Sequence, residues 1–185
     1  MNIDGETFCN SLSIQVCYLV IKIKYKGVAI GGTFDHLHKG HKALLSKAFE
    51  IGSYVIIGLS SDNFIKRLGK TVDNDYLSRK KNLTNFLNST FPNRLYDIVS
   101  LNEYFGPQIL TPNIQAIVVS DETKIRVDMI KNLRIMKGLL PLDVIVVNII
   151  LAEDGLPISS TRIRRGEIDL DGHKLHDIKK YNIPS

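Results

Sequence analysis

Three of the chain's five histidines fall within six positions, His36, His38 and His41, inside the stretch GGTFDHLHKGH at 31–41. Imidazoles can bind a metal, relay a proton or donate hydrogen bonds to an anion. The surroundings favour the last of these. An apolar run, GVAIGG, precedes them, and a helical pattern, KGHKALLSKAFEIG, follows. A strand-to-helix turn in an open α/β sheet lies at the ligand-binding end of the strands. Gly31 and Gly32 let the backbone pass close to a ligand. The helix beginning near His38 is expected to present unpaired N–H groups and the positive end of its dipole, which suits phosphate. His38 and His41 share one face of that first turn, and Gly40 leaves the space beside them clear. A metal site on His36, His38 and His41 is the rival, but no cysteine is near and no further ligand is evident. The glycine order of a dinucleotide fingerprint is absent.

A second cluster, ISSTRIR at 158–164, has related chemistry. Ser159, Ser160 and Thr161 supply hydroxyls at an expected helix start. Arg162, Arg164 and Arg165 follow at once, and guanidinium suits phosphate oxygens. Alone, the segment reads equally as a capped basic surface helix.

The elements that must carry these clusters alternate. Strands are expected at 27–32, 54–60, 94–101, 115–120 and 142–150. Helices are expected at 39–52, 76–89 and 122–138, the last stopped by Gly138. In the helix at 76–89, Leu77, Leu83, Phe86 and Leu87 are expected inward and Arg79, Lys80 and Lys81 outward. Strand–helix alternation with continuous apolar strands predicts an α/β fold: a single Rossmann-like domain, mainly parallel and five-stranded, with helices on both faces. The expected divisions are an N-terminal extension at 1–26, a catalytic domain at 27–170 and a polar tail at 171–185. In the extension, IQVCYLVIKI is too short to span a bilayer, and Asp4 and Glu6 precede it where a signal peptide would be basic. It reads as an extra edge strand or an appendage. No membrane association is expected. Cys9 and Cys17 fit free thiols in a reducing cytoplasm. The net charge of +5 suits an anionic ligand, whether a nucleotide-like molecule or nucleic acid.

GGTFDHLHKGH resembles the first signature of the HxGH nucleotidyltransferase superfamily, and ISSTRIR its second, ISSTxIR. GLSSDNF, VVSDET and LAEDGLPISSTRIRRGEID are similar to the phosphopantetheine adenylyltransferases of the archaeal and eukaryotic type. The resemblance runs from about residue 27 to 170. It implies transfer of AMP from ATP to 4′-phosphopantetheine, giving dephospho-coenzyme A and pyrophosphate, with Mg²⁺ entering alongside ATP. In the implied site, Gly31, Gly32, Thr33 and Phe34 form the loop beside the substrates, and Thr33 orients the attacking phosphate. Lys70 or Lys66 grips that phosphate. His41 stabilises the crowded α-phosphate and His38 assists on the triphosphate. Ser159, Ser160, Thr161, Arg162 and Arg134 hold the outer phosphates, and Ser120 lies by the adenosine. Asp35 reads as structural, and no metal-binding side chains are expected. Alternatives are a sister enzyme acting on nicotinamide mononucleotide, FMN or a phospho-alcohol, or a non-catalytic nucleic-acid-binding module. The first lacks its lead-in patterns here, and the second lacks a basic, aromatic-rich strand.

Overall fold

A computed structural model describes residues 23–124 and 127–175. Cys9, Cys17, nearly all of IQVCYLVIKI and the tail from residue 176 lie outside the described residues. The elements are β1 (Tyr25–Gly32), α1 (Lys39–Ile51), β2 (Gly52–Ser60), α2 (Asp62–Arg67), α3 (Tyr76–Thr90), β3 (Leu95–Leu101), a 3₁₀ turn (Pro107–Leu110), β4 (Ala116–Ser120), α4 (Asp121–Lys124), α5 (Val127–Met136), β5 (Asp143–Val147) and α6 (Ser160–Arg164).

The five strands form one parallel sheet in the order β3-β2-β1-β4-β5. Successive strand residues point to opposite faces. Val28, Ile30, Val55 and Ile57 pack on one face against Leu45, Ala48 and Phe49 of α1 and Leu83 and Leu87 of α3. Ala29, Ile56, Ile117 and Val119 pack on the other against Ile109 of the 3₁₀ turn and Val127 and Ile130 of α5. Covering both faces explains why the strands read as unbroken apolar runs. The chain builds outward from β1 to β3, then crosses back to lay β4 beside β1. The order therefore reverses between β1 and β4, and a crevice opens at their carboxyl ends.

The largest departure from the expected pattern is in α3. Leu77 is 72% exposed, whereas Arg79 is 0% exposed. Arg79 lies one and two turns before Leu83 and Leu87, on the buried stripe. It is tolerated there because its guanidinium donates to the carbonyls of Asn74 (3.1 Å), Thr33 (2.7 Å) and Ser60 (2.9 Å) and to Asp62 Oδ1 (2.7 Å). Removing it would leave the carbonyls of Thr33 and Ser60 without these donors. The helix expected at 122–138 comes as α4 and α5, with residues 125–126 between them outside the described residues. β5 ends at Val147 rather than 150, and α2 was not expected. Residues 171–175 stay attached to the body. Gly172 O accepts from Glu153 N–H (3.0 Å), and Leu175 N–H donates to Glu167 O (3.1 Å).

Candidate active site

Two adjoining cavities lie at the carboxyl ends of the strands. One, of about 390 Å³, is walled by polar groups: Thr33, His38, His41, Lys70, Ser159, Ser160, Thr161 and Arg164. The other, of about 270 Å³, shares Thr33, His41 and Lys70 with it. It runs past Gly31, Gly32, Gly58 and Ser120 to the 3₁₀ turn and α5, mostly between apolar side chains.

The turn after β1 sets the imidazoles. Phe34 takes a left-handed backbone conformation (φ 48°) that is unfavourable for a bulky residue. Its ring is buried, with its centroid 5.1 Å from that of His41. His38 caps α1: its Nδ1 accepts from Gly40 N–H at 3.1 Å. A Cβ on Gly40 would stand 3.0 Å from the His38 ring, so glycine gives that ring its place. His41 Nδ1 lies 2.8 Å from the carbonyl of His36, and the His38 and His41 rings stack at 3.9 Å. Burial pushes His38 down to about 3 and His41 down to about 4, the latter against a smaller opposing effect of the His36 carbonyl. Both rings are therefore neutral at physiological pH. Their partners then assign the tautomers. His38 Nδ1 accepts, so its Nε2 carries the proton. His41 Nδ1 donates to a carbonyl, so its Nε2 is bare until the ring is protonated.

Asp35 ties the two signatures together. It is buried, and its carboxylate accepts from Asp73 N–H (3.1 Å), Asn74 N–H (3.0 Å), Asn74 Nδ2 (3.1 Å) and Arg164 (3.0 Å). Burial raises its pKa, but the bonds from Asp73 and Asn74 outweigh that and hold it below the usual carboxylate value. One carboxylate thus joins the β1–α1 turn, the loop after Lys70 and α6. On α6, Ser159 is the N-cap and accepts from Arg162 N–H at 3.3 Å. Arg164 reaches both Asp35 and Thr161 Oγ1 (3.1 Å).

Several expected site residues lie elsewhere. Phe34 lines neither cavity and serves as core behind His41. Lys66 also lines neither, whereas Lys70 lines both, because Lys66 projects from the exposed side of α2. Arg134 is buried and donates to the carbonyls of Ile109 (2.5 Å), Thr111 (3.0 Å) and Leu140 (2.8 Å), so its donors fasten the 3₁₀ turn to α5, and it lines neither cavity. Arg162 is held by Asp154 and by Glu167 (2.9 Å) and is likewise turned away. Arg164, two positions on, is the guanidinium at the polar cavity. The alternation of directions on α6 was not legible from ISSTRIR alone. The start of α1 also differs from expectation. Lys39 N–H already donates to Leu170 O (3.1 Å) and Gly40 N–H to His38, so imidazoles front the cavity more than free helix N–H groups do.

Asp35, His36 and Asp73 are the one His/Cys/Asp/Glu cluster of metal-binding spacing among the described residues. Asp35 is spoken for by four donors, and His36 Nε2 lies 2.9 Å from Asp73. No carboxylate lines either cavity among the described residues. The walls therefore suit an anion with its own counter-cation better than a resident metal ion.

A cytidylyltransferase-like family model matches residues 29–166, from within β1 to just past α6. Phosphopantetheine adenylyltransferase of Methanothermobacter thermautotrophicus is 42% identical over 159 residues, covering 86% of this chain and 95% of that protein. Phosphopantetheine adenylyltransferase of Pyrococcus furiosus is 41% identical over 162 residues, covering 86% and 100%. Among solved structures, a protein of unknown function from Archaeoglobus fulgidus superposes with a TM-score of 0.59 at 28% identity, over 65% of this chain and 88% of that one.

Proposed function

We propose, from the premise that the chain belongs to the cytidylyltransferase-like family and to its phosphopantetheine adenylyltransferases, that it transfers AMP from ATP to 4′-phosphopantetheine. The products are dephospho-coenzyme A and pyrophosphate, so the enzyme is a nucleotidyltransferase of coenzyme A biosynthesis. The observation that carries the reading is a pair of cavities, one polar and one apolar, meeting at Thr33, His41 and Lys70.

The reaction joins an acceptor phosphate oxygen to the α-phosphorus of ATP, and the bond from that phosphorus to the bridging oxygen breaks. Pyrophosphate leaves with the electron pair. The nucleophile is already anionic, so no general base is needed. What is needed is alignment and neutralisation of charge. Thr33 and Lys70, at the junction, orient the acceptor phosphate. Ser159, Ser160, Thr161 and Arg164 hold the β- and γ-phosphates in the polar cavity. His38 donates to them from its Nε2 while still neutral. His41 can donate only once protonated, and an entering polyphosphate supplies the negative field that raises its pKa. It then faces the α-phosphate with a full charge, in a site where such a donor counts most in the transition state. Mg²⁺ would accompany ATP and supply neutralisation of its phosphate charge, since no carboxylate lines either cavity among the described residues to hold a resident ion. Ser120, at the end of β4, borders the apolar cavity on the adenosine side. The proposed catalytic unit is residues 27–170, and its proposed setting is the cytoplasm, where ATP is made. No helix among the described residues is long and apolar enough to cross a membrane.

The test is incubation with ATP, Mg²⁺ and a panel of acceptors, following pyrophosphate release. Turnover is expected with 4′-phosphopantetheine, none with unphosphorylated pantetheine, and little with nicotinamide mononucleotide, FMN, or CTP in place of ATP. Activity on nicotinamide mononucleotide or with CTP, together with inactivity on 4′-phosphopantetheine, would overturn the assignment.

A further inference from the structure

Gln108 sits in the 3₁₀ turn and lines the apolar cavity. Its Oε1 is the one buried side-chain polar atom without a hydrogen-bond partner among the described residues. It is tucked against Gly106, where a Cβ would stand 2.6 Å from Oε1. The same wall includes Val99, Leu101, Phe105 and Ile109, which offer no side-chain donor, and Tyr104, which carries a hydroxyl. A buried carbonyl oxygen without a donor is a standing cost in the free protein. The last torsion of a glutamine side chain is broad and two-fold, so the amide can turn Oε1 toward the cavity, exchanging it with Nε2 against Gly106.

We propose that Gln108 is a specificity residue for the acceptor, its amide oxygen turning into the apolar cavity to accept a hydrogen bond from a secondary amide N–H of the acceptor's arm. The inference rests on the adenylyl-transfer reading, in which the acceptor phosphate sits at Thr33 and Lys70 and the rest of the molecule extends along this cavity. The walls suit an aliphatic chain with few polar groups. Turned into the cavity, Oε1 can only accept, so it selects a donor and disfavours an anion. A cationic donor finds no carboxylate among the cavity-lining residues to pair with. A neutral amide N–H fits both conditions, and the arm of 4′-phosphopantetheine carries secondary amides.

The test compares wild type with Gln108→Met, which keeps the length and removes the amide. The KM for 4′-phosphopantetheine is expected to rise about tenfold, the scale of one buried hydrogen bond. The KM for ATP and kcat should hold, and the thermal midpoint should not fall, because the variant also removes the unpaired oxygen. A merely structural glutamine would show the reverse: a lowered midpoint with an unchanged acceptor KM. Acceptors with each amide replaced in turn by an ester identify the partner. Wild type should lose about tenfold on one ester, and Gln108→Met should treat that ester and the amide alike. Equal response of both enzymes to every ester, or an unchanged acceptor KM in the variant, overturns the proposal while wild-type turnover leaves the reaction standing. Wild-type enzyme inactive on 4′-phosphopantetheine overturns both.

Discussion

The two cavities share three residues and differ in nearly everything else. The polar cavity is built from three short contiguous stretches, 33–41, 69–72 and 159–164. Its groups are hydroxyls, imidazoles and cations, cross-tied by Asp35. The apolar cavity takes its walls from many elements: four residues each from β1 and β4, three from β2, two each from β3, the 3₁₀ turn and α5, and others from α1, α2, α4 and the loops. Charge chemistry needs several groups fixed relative to one another, and one loop can fix them. A groove for an aliphatic arm needs only shape, which any strand end can contribute. Changes in the first cavity should therefore act on chemistry and on ATP, and changes in the second, away from the shared residues and Ser120, on acceptor affinity alone.

The largest effect should come from a residue common to both. His41→Ala removes the donor expected at the α-phosphate and should lower kcat by about a hundredfold or more, the scale of losing one preorganised donor. The Michaelis constants should change far less. Full kcat in the variant would dissolve the division, because the junction would then carry no chemistry. Next in size is a contrast between lysines. Lys70→Ala should lower kcat/KM by about tenfold or more, the worth of a hydrogen bond to a charged group. Lys66→Ala, outside both cavities, should leave steady-state rates unchanged. A larger loss from Lys66 than from Lys70 would place the acceptor phosphate elsewhere.

The same division decides what could be read in the sequence. The β-α alternation, the five strands and the two signatures were legible, because periodicity and contiguous motifs report local structure directly. Arginine directions were not. Arg79 and Arg134 carry the charge of surface residues, yet both are buried on backbone carbonyls donated by distant segments. Nothing local in SRKK or KNLR encodes those carbonyls. Arg162 and Arg164 stand two apart on a helix, so they point apart, and only the fold says which one meets the cavity. Calorimetric titration with a non-hydrolysable ATP analogue separates them. Arg164→Leu should weaken binding by several-fold to tenfold. Arg162→Leu should leave affinity unchanged and lower the thermal midpoint instead, having lost Asp154 and Glu167. The opposite pattern would return Arg162 to the phosphates. Gln108 was missed for the same reason as the apolar cavity: one glutamine in a turn has no pattern, and its significance comes from the empty space beside it.

The smallest expected effect is a dependence of stability on pH, and it comes from the two imidazoles of the polar cavity, one of them shared. In the unfolded chain an imidazole titrates near pH 6.5, but burial holds His38 at about 3 and His41 at about 4 in the fold. Between about pH 6.5 and about pH 4 the unfolded chain therefore binds protons that the folded chain does not. Stability should rise with pH across that window and fall as the solution is acidified. Below about 4 the folded His41 protonates as well, and its contribution levels off. Asp35 acts in the same direction but lower: its folded pKa is depressed, so its contribution is present above the ordinary carboxylate range and lost beneath it. The midpoint of thermal unfolding, measured from pH 7 to pH 4, should decline in the wild type and decline less in His41→Asn, whose amide can still donate to the His36 carbonyl. A non-hydrolysable ATP analogue gives the protonated His41 ring an anionic partner, so it should shrink the decline and bind with net proton uptake, read from titrations in buffers of different ionisation enthalpy. Parallel slopes in wild type and variant, with no proton uptake, would mean that the imidazoles do not change charge when phosphate enters. His41 would then serve the polar cavity by shape rather than by charge.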